Sequence, residues 1–353
     1  MKIGLLAYSS PTGLGYQTYN FYRYMQPEKV LVVDLSASNR MGTDHAKFGD
    51  QAIVCQGYPQ NYNMEWLSQD MDCVFVCENP LNYHLYDAAK RNGAVSISQY
   101  NYEFLDYFQH PDWLKPDFLA APTRWGRDKV EELNVAPVLD LPVPFDRAHF
   151  PARHITKCTT FIHVVGRPSA FDRNGTLLFL EAAQRLGNRF SYKVFIQRPE
   201  DDKANEHYQA LLPMLHFMRD GVEVIYNTKD NADIYKSGDV LVLPRRYGGL
   251  CLPANEALSS GLPVVMPDIS PNEYLPQQWR CKAHFQETFD TRPWVDMYEA
   301  DVDSLCATML QFGDNEFMSE ASLEANDIAS LRSWGRLLPF YHQQLESMCQ
   351  ASQ

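Results

Sequence analysis

Residues 239–267 constrain the fold of this chain more than any other stretch. After Asp239, the residues Val240, Leu241, Val242 and Leu243 make a short apolar run with the β-branched bias of a buried strand. Gly248 and Gly249 follow, and glycine admits backbone shapes that other residues resist. Pro253 suits the first turn of a helix, where a missing N–H removes no hydrogen bond. Glu256, Ala257 and Leu258 lie on that helix, Gly261 stops it, and Leu262 to Met266 begin another strand.

The stretch therefore reads as one βαβ unit. Its turn lies at the carboxyl end of a parallel strand, where open α/β sheets bind ligands. A helix N-terminus there offers free N–H groups and a positive dipole end, which suits phosphate. Glu256, about one turn into the helix, can reach hydroxyls of the same ligand. This pattern points to a nucleoside diphosphate held by its phosphates and ribose. The same spacing also suits an ordinary surface turn of any α/β protein.

The rest of the chain repeats this alternation. Lys2 to Tyr8 form a strand that runs into a loop with Gly13 and Gly15, followed by a helix from Tyr16 to Met25. Gly13 and Gly15 are followed by Thr18 where a dinucleotide fingerprint has its third glycine, so that fingerprint is absent. Further strands are expected at Val30–Asp34, Met71–Glu78, Ala94–Ile97 and Phe118–Ala121, with a helix over 82–91. Such alternation argues for doubly wound parallel sheets. Glu78 ends one strand, and Tyr100, Tyr102 and Glu103 begin the aromatic run Gln99–Trp113, so these four are candidates for an acceptor pocket. Core packing is the competing role for the aromatics.

A second strand-to-helix turn runs from the strand Thr159–Gly166 to the helix Thr176–Leu186. Arg167 and Arg173 flank it, and forked, permanently charged guanidiniums suit a pyrophosphate. Tyr192–Ile196 and Val222–Tyr226 are further strands, with a helix between them from about Ala204 to Arg219. Residues 301–312 make an amphipathic helix. The run from Pro142 to Pro151 has the composition of a linker, which places a boundary near residue 152.

These motifs resemble the large retaining glycosyltransferase family with the GT-B fold, the glycosyl transferases group 1 or family 4-like enzymes. Pro244, Gly249, Leu252, Pro253, Glu256, Ala257, Gly261, Pro263, Val264 and Val265 match the family's Glu-x7-Glu signature. Gly248 stands where the signature has its first glutamate, and Cys251 where it has its second glycine. The segment around Thr123 and Trp125, the run at Pro142–Pro151 and the closing stretch from Ser333 and Trp334 to Tyr341 are also similar to family segments.

The resemblance implies two Rossmann-like domains facing across a cleft, residues 1–152 for the acceptor and 153–332 for a nucleotide sugar. It also implies a helix over 333–353 that crosses back to the first domain. It implies catalytic roles for Arg167 and Arg173 at the leaving phosphate, with the family's lysine replaced by Arg173 or Asn174. Donor contacts are implied at Gly13, Gly15, Tyr226, Asn227, Gly248, Gly249, Leu250, Cys251, Leu252 and Glu256. Arg245 and Arg246 sit at the end of the central strand, and Arg246 is taken as the further donor contact in place of the missing glutamate. The implied reaction moves a sugar from a nucleotide-diphosphate sugar, a UDP-sugar foremost, to a hydroxyl with retention. It uses no metal and no further cofactor. A non-catalytic sugar-nucleotide-binding protein and a sugar-nucleotide epimerase of the same architecture are the rival readings.

Composition narrows the partners. A formal net charge of −13 over 353 residues disfavours nucleic acid, whose phosphates need clustered Lys and Arg. A polysaccharide, a small metabolite or a hydroxylated base in modified DNA are the acceptors considered. No apolar run is long enough to span a membrane, and residues 16–29 carry few cations, so a soluble acceptor is expected. The eight cysteines form no paired CxxC spacing, which fits reduced thiols in a cytoplasmic protein without zinc.

Overall fold

A computed structural model describes residues 1–39, 43–104, 114–166, 168, 172–197, 221–290 and 292–351. The helix expected at 204–219 and the aromatic residues 105–113 lie outside the described residues. The chain forms two compact units, Met1–Pro144 with Trp334–Gln353, and Phe145–Ser333.

The first unit holds a seven-stranded sheet of β1 (Ile3–Tyr8), β2 (Lys29–Asp34), β3 (Ile53–Gln56), β4 (Cys73–Cys77), β5 (Val95–Gln99), β6 (Phe118–Ala121) and β7 (Val138–Asp140). Its order is β3-β2-β1-β4-β5-β6-β7, with every neighbouring pair parallel. Alternate residues of a strand face opposite sides. Leu5 and Ala7 accordingly join the core under Phe21 and Met25 of the helix Gly13–Met25. Leu6 and Tyr8 join the opposite core, with Met64, Leu67, Leu85 and Ala88 of the helices Asn61–Ser68 and His84–Arg91. The first helix starts at Gly13 rather than Tyr16 because Thr12 caps it, its hydroxyl accepting from the Gly15 N–H.

The closing helix, Trp334–Ala351, belongs to this first unit, as expected of a helix that crosses back. Trp334 stacks on Tyr24 at 4.9 Å and meets Phe21 edge-on. Tyr341 is buried, and its hydroxyl donates to the Pro142 carbonyl at 3.0 Å.

The second unit holds β8 (Thr160–Gly166), β9 (Ser191–Ile196), β10 (Val222–Tyr226), β11 (Val240–Val242), β12 (Val264–Pro267) and β13 (Arg280–Cys281), in the order β10-β9-β8-β11-β12-β13 and all parallel. Helices Thr176–Leu186, Asn231–Lys236, Leu252–Ser259, Val302–Gln311 and Asn315–Leu331 accompany it. An antiparallel hairpin of β14 (Ala283–Phe289) and β15 (Arg292–Ala300) is added, which the sequence reading does not foresee. Both sheets are thus Rossmann-like. In each, the strand order reverses once, at β1/β4 and at β8/β11, and ligands bind at the carboxyl ends of such switch points.

Candidate functional site

The switch point of the second sheet brings together the two turns that the sequence singles out. One follows β11 and leads into the helix Leu252–Ser259, with Pro253 in its first turn. Gly249 has φ 106° in this turn, a conformation that favours glycine. Gly248 and Gly249 are buried, while Leu250, Cys251 and Leu252 are half-buried. Cys251 caps the helix without a side-chain hydrogen bond. The amides of Ala254 and Asn255 already turn back to the Cys251 carbonyl.

The other turn follows β8. Gly175 has φ 69°, and a Cβ there would collide with the Pro244 carbonyl oxygen, so the two turns touch backbone to backbone. The Arg246 N–H donates to the Arg173 carbonyl at 2.9 Å, which ties them again. The Arg173 guanidinium lies 4.7 Å from the centroid of the Tyr247 ring. Arg167 lies outside the described residues.

The helix that follows this second turn differs from its neighbour. Asp172 accepts from the N–H groups of Thr176 and Leu177 at 2.8 and 2.9 Å, so its carboxylate occupies the start of Thr176–Leu186. Of the two helix N-termini at the switch point, this one is already neutralised, and at the one at Leu252 the capping residue makes no side-chain hydrogen bond. Asn174 turns inward, its amide donating to the Val164 and Val165 carbonyls at 3.1 and 2.9 Å. It braces the strand end and presents no cation. Beneath, His163 is fully buried between the Val242 carbonyl and the Thr176 hydroxyl, at 2.8 and 2.9 Å. Burial pushes its pKa down to about 4, so the ring is neutral.

Glu256 is only 9% exposed and projects among groups that the sequence reading did not single out. The Tyr235 hydroxyl donates to its Oε2 at 2.6 Å, and the Asn231 side chain also hydrogen-bonds it. Burial raises its carboxyl above the ordinary range, and these two hydrogen bonds oppose that shift. Asn231 and Tyr235 share the helix Asn231–Lys236, four residues apart, which is the one signal the sequence offers for them.

Arg246 engages the hairpin. Its guanidinium bonds Gln286 and lies 3.9 Å from Glu287, both on β14, and its carbonyl accepts from the Tyr298 N–H of β15. Tyr226 is exposed at the end of β10, followed by Asn227 at φ 50°.

In the first unit the expected acceptor residues separate into two groups. Glu78 has φ 68° at the end of β4, at the switch point, and the Asn101 amide donates to its Oε2 at 2.6 Å. Gly15 packs so closely on the Ser10 carbonyl that a Cβ would overlap it, and Gly13 opens the same helix. Tyr100, Tyr102 and Glu103 are all buried, and the Tyr102 ring packs edge-on against Trp125 at 4.8 Å. Among the described residues no cluster of His, Cys, Asp or Glu could hold a metal ion. Nor is any described helix long and apolar enough to cross a membrane.

Residues 160–287 match the family model described as Glycosyl transferases group 1. No curated protein matches the sequence. Among solved structures, HepE of Anabaena in complex with UDP-glucose is similar with a TM-score of 0.71 and 12% identity, over 98% of this chain and 100% of that one. Sucrose-phosphate synthase of Thermosynechococcus elongatus gives 0.69 and 11%, over 99% and 100%. A glycosyltransferase of Rickettsia africae gives 0.69 and 11%, over 98% of each. At such identity the likeness is one of fold, and that fold is GT-B.

Proposed function

We propose that the chain transfers a sugar from a nucleotide-diphosphate sugar to a hydroxyl acceptor with retention of configuration, a reading supported by the match of residues 160–287 to the Glycosyl transferases group 1 model. The observation that carries this reading is the pairing of an uncapped helix N-terminus at Leu252 with the abutting turn of Arg173, at the sheet's switch point. UDP is the nucleotide we propose, since HepE was solved with UDP-glucose.

Glu256 takes the ribose hydroxyls, and the amides at Leu252 with Gly249 take the diphosphate. Tyr226 and Asn227 border the base. In the reaction, the bond between the anomeric carbon and the β-phosphate oxygen breaks. A bond from the acceptor oxygen forms on the same face, and the acceptor's proton passes to the leaving phosphate. The charge that develops on that phosphate is stabilised by Arg167, Arg173 and the helix dipole, so neither a protein base nor a metal is required. The acceptor is the hydroxyl of a saccharide or small metabolite, in preference to a base in DNA. The compartment is the cytoplasm, in keeping with eight unpaired cysteines.

UDP at a hundredfold excess over its Kd should stabilise the protein by about 2.7 kcal/mol, read as a rise in Tm. UDP should then be released from a UDP-sugar when an acceptor is present, at a rate that EDTA leaves unchanged. Glu256→Ala should weaken UDP binding at least tenfold, as loss of a charged hydrogen-bonding group of about 1.5–3 kcal/mol requires. Binding without release would favour the non-catalytic protein, and an isomerised donor the epimerase. No Tm shift with any nucleotide sugar would sink the proposal.

A further inference from the structure

Arg245 is the residue that the reaction above leaves without a task. It lies in the turn that follows β11, is 4% exposed, and its Nε has no hydrogen-bond partner. Among the described residues no carboxylate pairs with it. An unpaired guanidinium taken out of water costs several kcal/mol, far more than a surface arginine. A fold that keeps such a group commonly has an anion to set against it.

The surroundings point the same way. Arg332 places its guanidinium 4.4 Å from the centroid of the Tyr274 ring and 5.4 Å from that of Phe145. It too has no ion pair among the described residues. Tyr274 lies within electrostatic reach of both arginines and of Cys251, the residue that caps the helix at Leu252. Two guanidiniums without an ion pair among the described residues, a half-buried tyrosine and an uncapped helix N-terminus therefore share one neighbourhood. The nearest acid that the family signature would supply is absent, because Gly248 stands there.

We propose that Arg245 and Arg332 form an anion subsite for the sugar itself, so that the donor is a nucleoside-diphosphate sugar bearing a carboxylate, a hexuronate. This rests on the reading of the chain as a nucleotide-sugar transferase. The argument for a third anion is one of charge. The diphosphate is already met by Arg173, Arg167 and the helix amides, which leaves Arg245 and Arg332 in surplus. A guanidinium binds a carboxylate through two parallel hydrogen bonds, a geometry that a neutral hydroxymethyl group cannot offer. Preference for the more anionic donor also runs against the chain's net charge of −13, so long-range attraction cannot produce it.

Calorimetric titration of the full chain with UDP, UDP-glucose and UDP-glucuronate tests this. UDP-glucuronate should bind at least tenfold more tightly than UDP-glucose. Arg245→Met and, separately, the more exposed Arg332→Gln should each remove most of that preference while both UDP-sugars still bind. Equal affinity of the two donors in the unaltered chain would overturn the subsite without any variant. So would an equal loss for UDP and UDP-glucuronate in both variants, which would assign the guanidiniums to the diphosphate. Failure of UDP itself to bind the folded chain would instead remove the nucleotide-sugar reading, and this subsite with it.

Discussion

At the scale of single residues, His163 and Glu256 illustrate opposite responses to burial. The imidazole has an ordinary pKa of 6.5 and is held down to about 4 in the fold. Between those values the unfolded chain binds a proton that the folded chain does not. Stability from this group therefore rises with pH through the window and is lost as pH falls from 6.5 towards 4. The shift corresponds to roughly 3 kcal/mol. Glu256 works the other way, since burial raises its carboxyl and its contribution declines as pH rises. Urea unfolding of the unaltered chain and of His163→Gln between pH 4 and 7 should separate the two, with a shallower pH dependence in the variant; an identical slope would exonerate His163. The sequence singled out both turns that the fold brings together, and it named Arg246 where the inferred subsite takes Arg245. Arg245 and Arg246 are adjacent, and successive residues of an extended chain face opposite ways, so one goes inward and the other to the hairpin. Choosing between them needs the register. Asn174 was similarly visible as part of the turn, while its inward rotation onto the Val164 and Val165 carbonyls was not.

At the scale of elements, the glycines and prolines that punctuate the chain made the βαβ units legible, because each marks a backbone requirement rather than a preference. The helix Thr176–Leu186 has the same bounds in sequence and structure for this reason. The hairpin of β14 and β15 carried no such mark. Five successive residues of β14 are exposed, so the strand lacks the alternation that betrays a half-buried sheet. The close approach of Gly175 to Pro244 can be tested. Gly175→Ala adds a Cβ at φ 69°, against a carbonyl oxygen, and should cost about 1–3 kcal/mol while forcing the two turns apart. A lower Tm together with at least tenfold weaker UDP binding is expected. A fall in Tm with UDP affinity intact would show that the spacing of the turns does not matter to the ligand.

At the scale of the whole molecule, each unit has cores of its own. One core spans Phe145 to Ala329 within the second unit, and two lie on the faces of the first sheet. The first unit depends on the far end of the chain, since Trp334, Tyr341, Leu345 and Met348 are buried in it. Trp334→Ala should therefore cost about 3–5 kcal/mol in that unit alone. Scanning calorimetry should show two transitions, with only one moved by the substitution; a common shift of both would mean that the units unfold as one. Residue 145 also bridges residue 333, and the Phe145 N–H donates to the Arg332 carbonyl at 2.8 Å. The chain thus leaves and rejoins the first unit at neighbouring points, like a page inserted between two leaves of a binding. A segment with such adjoining ends can be exchanged as a cassette, so residues 145–333 are open to transplantation while the first unit keeps its own sequence.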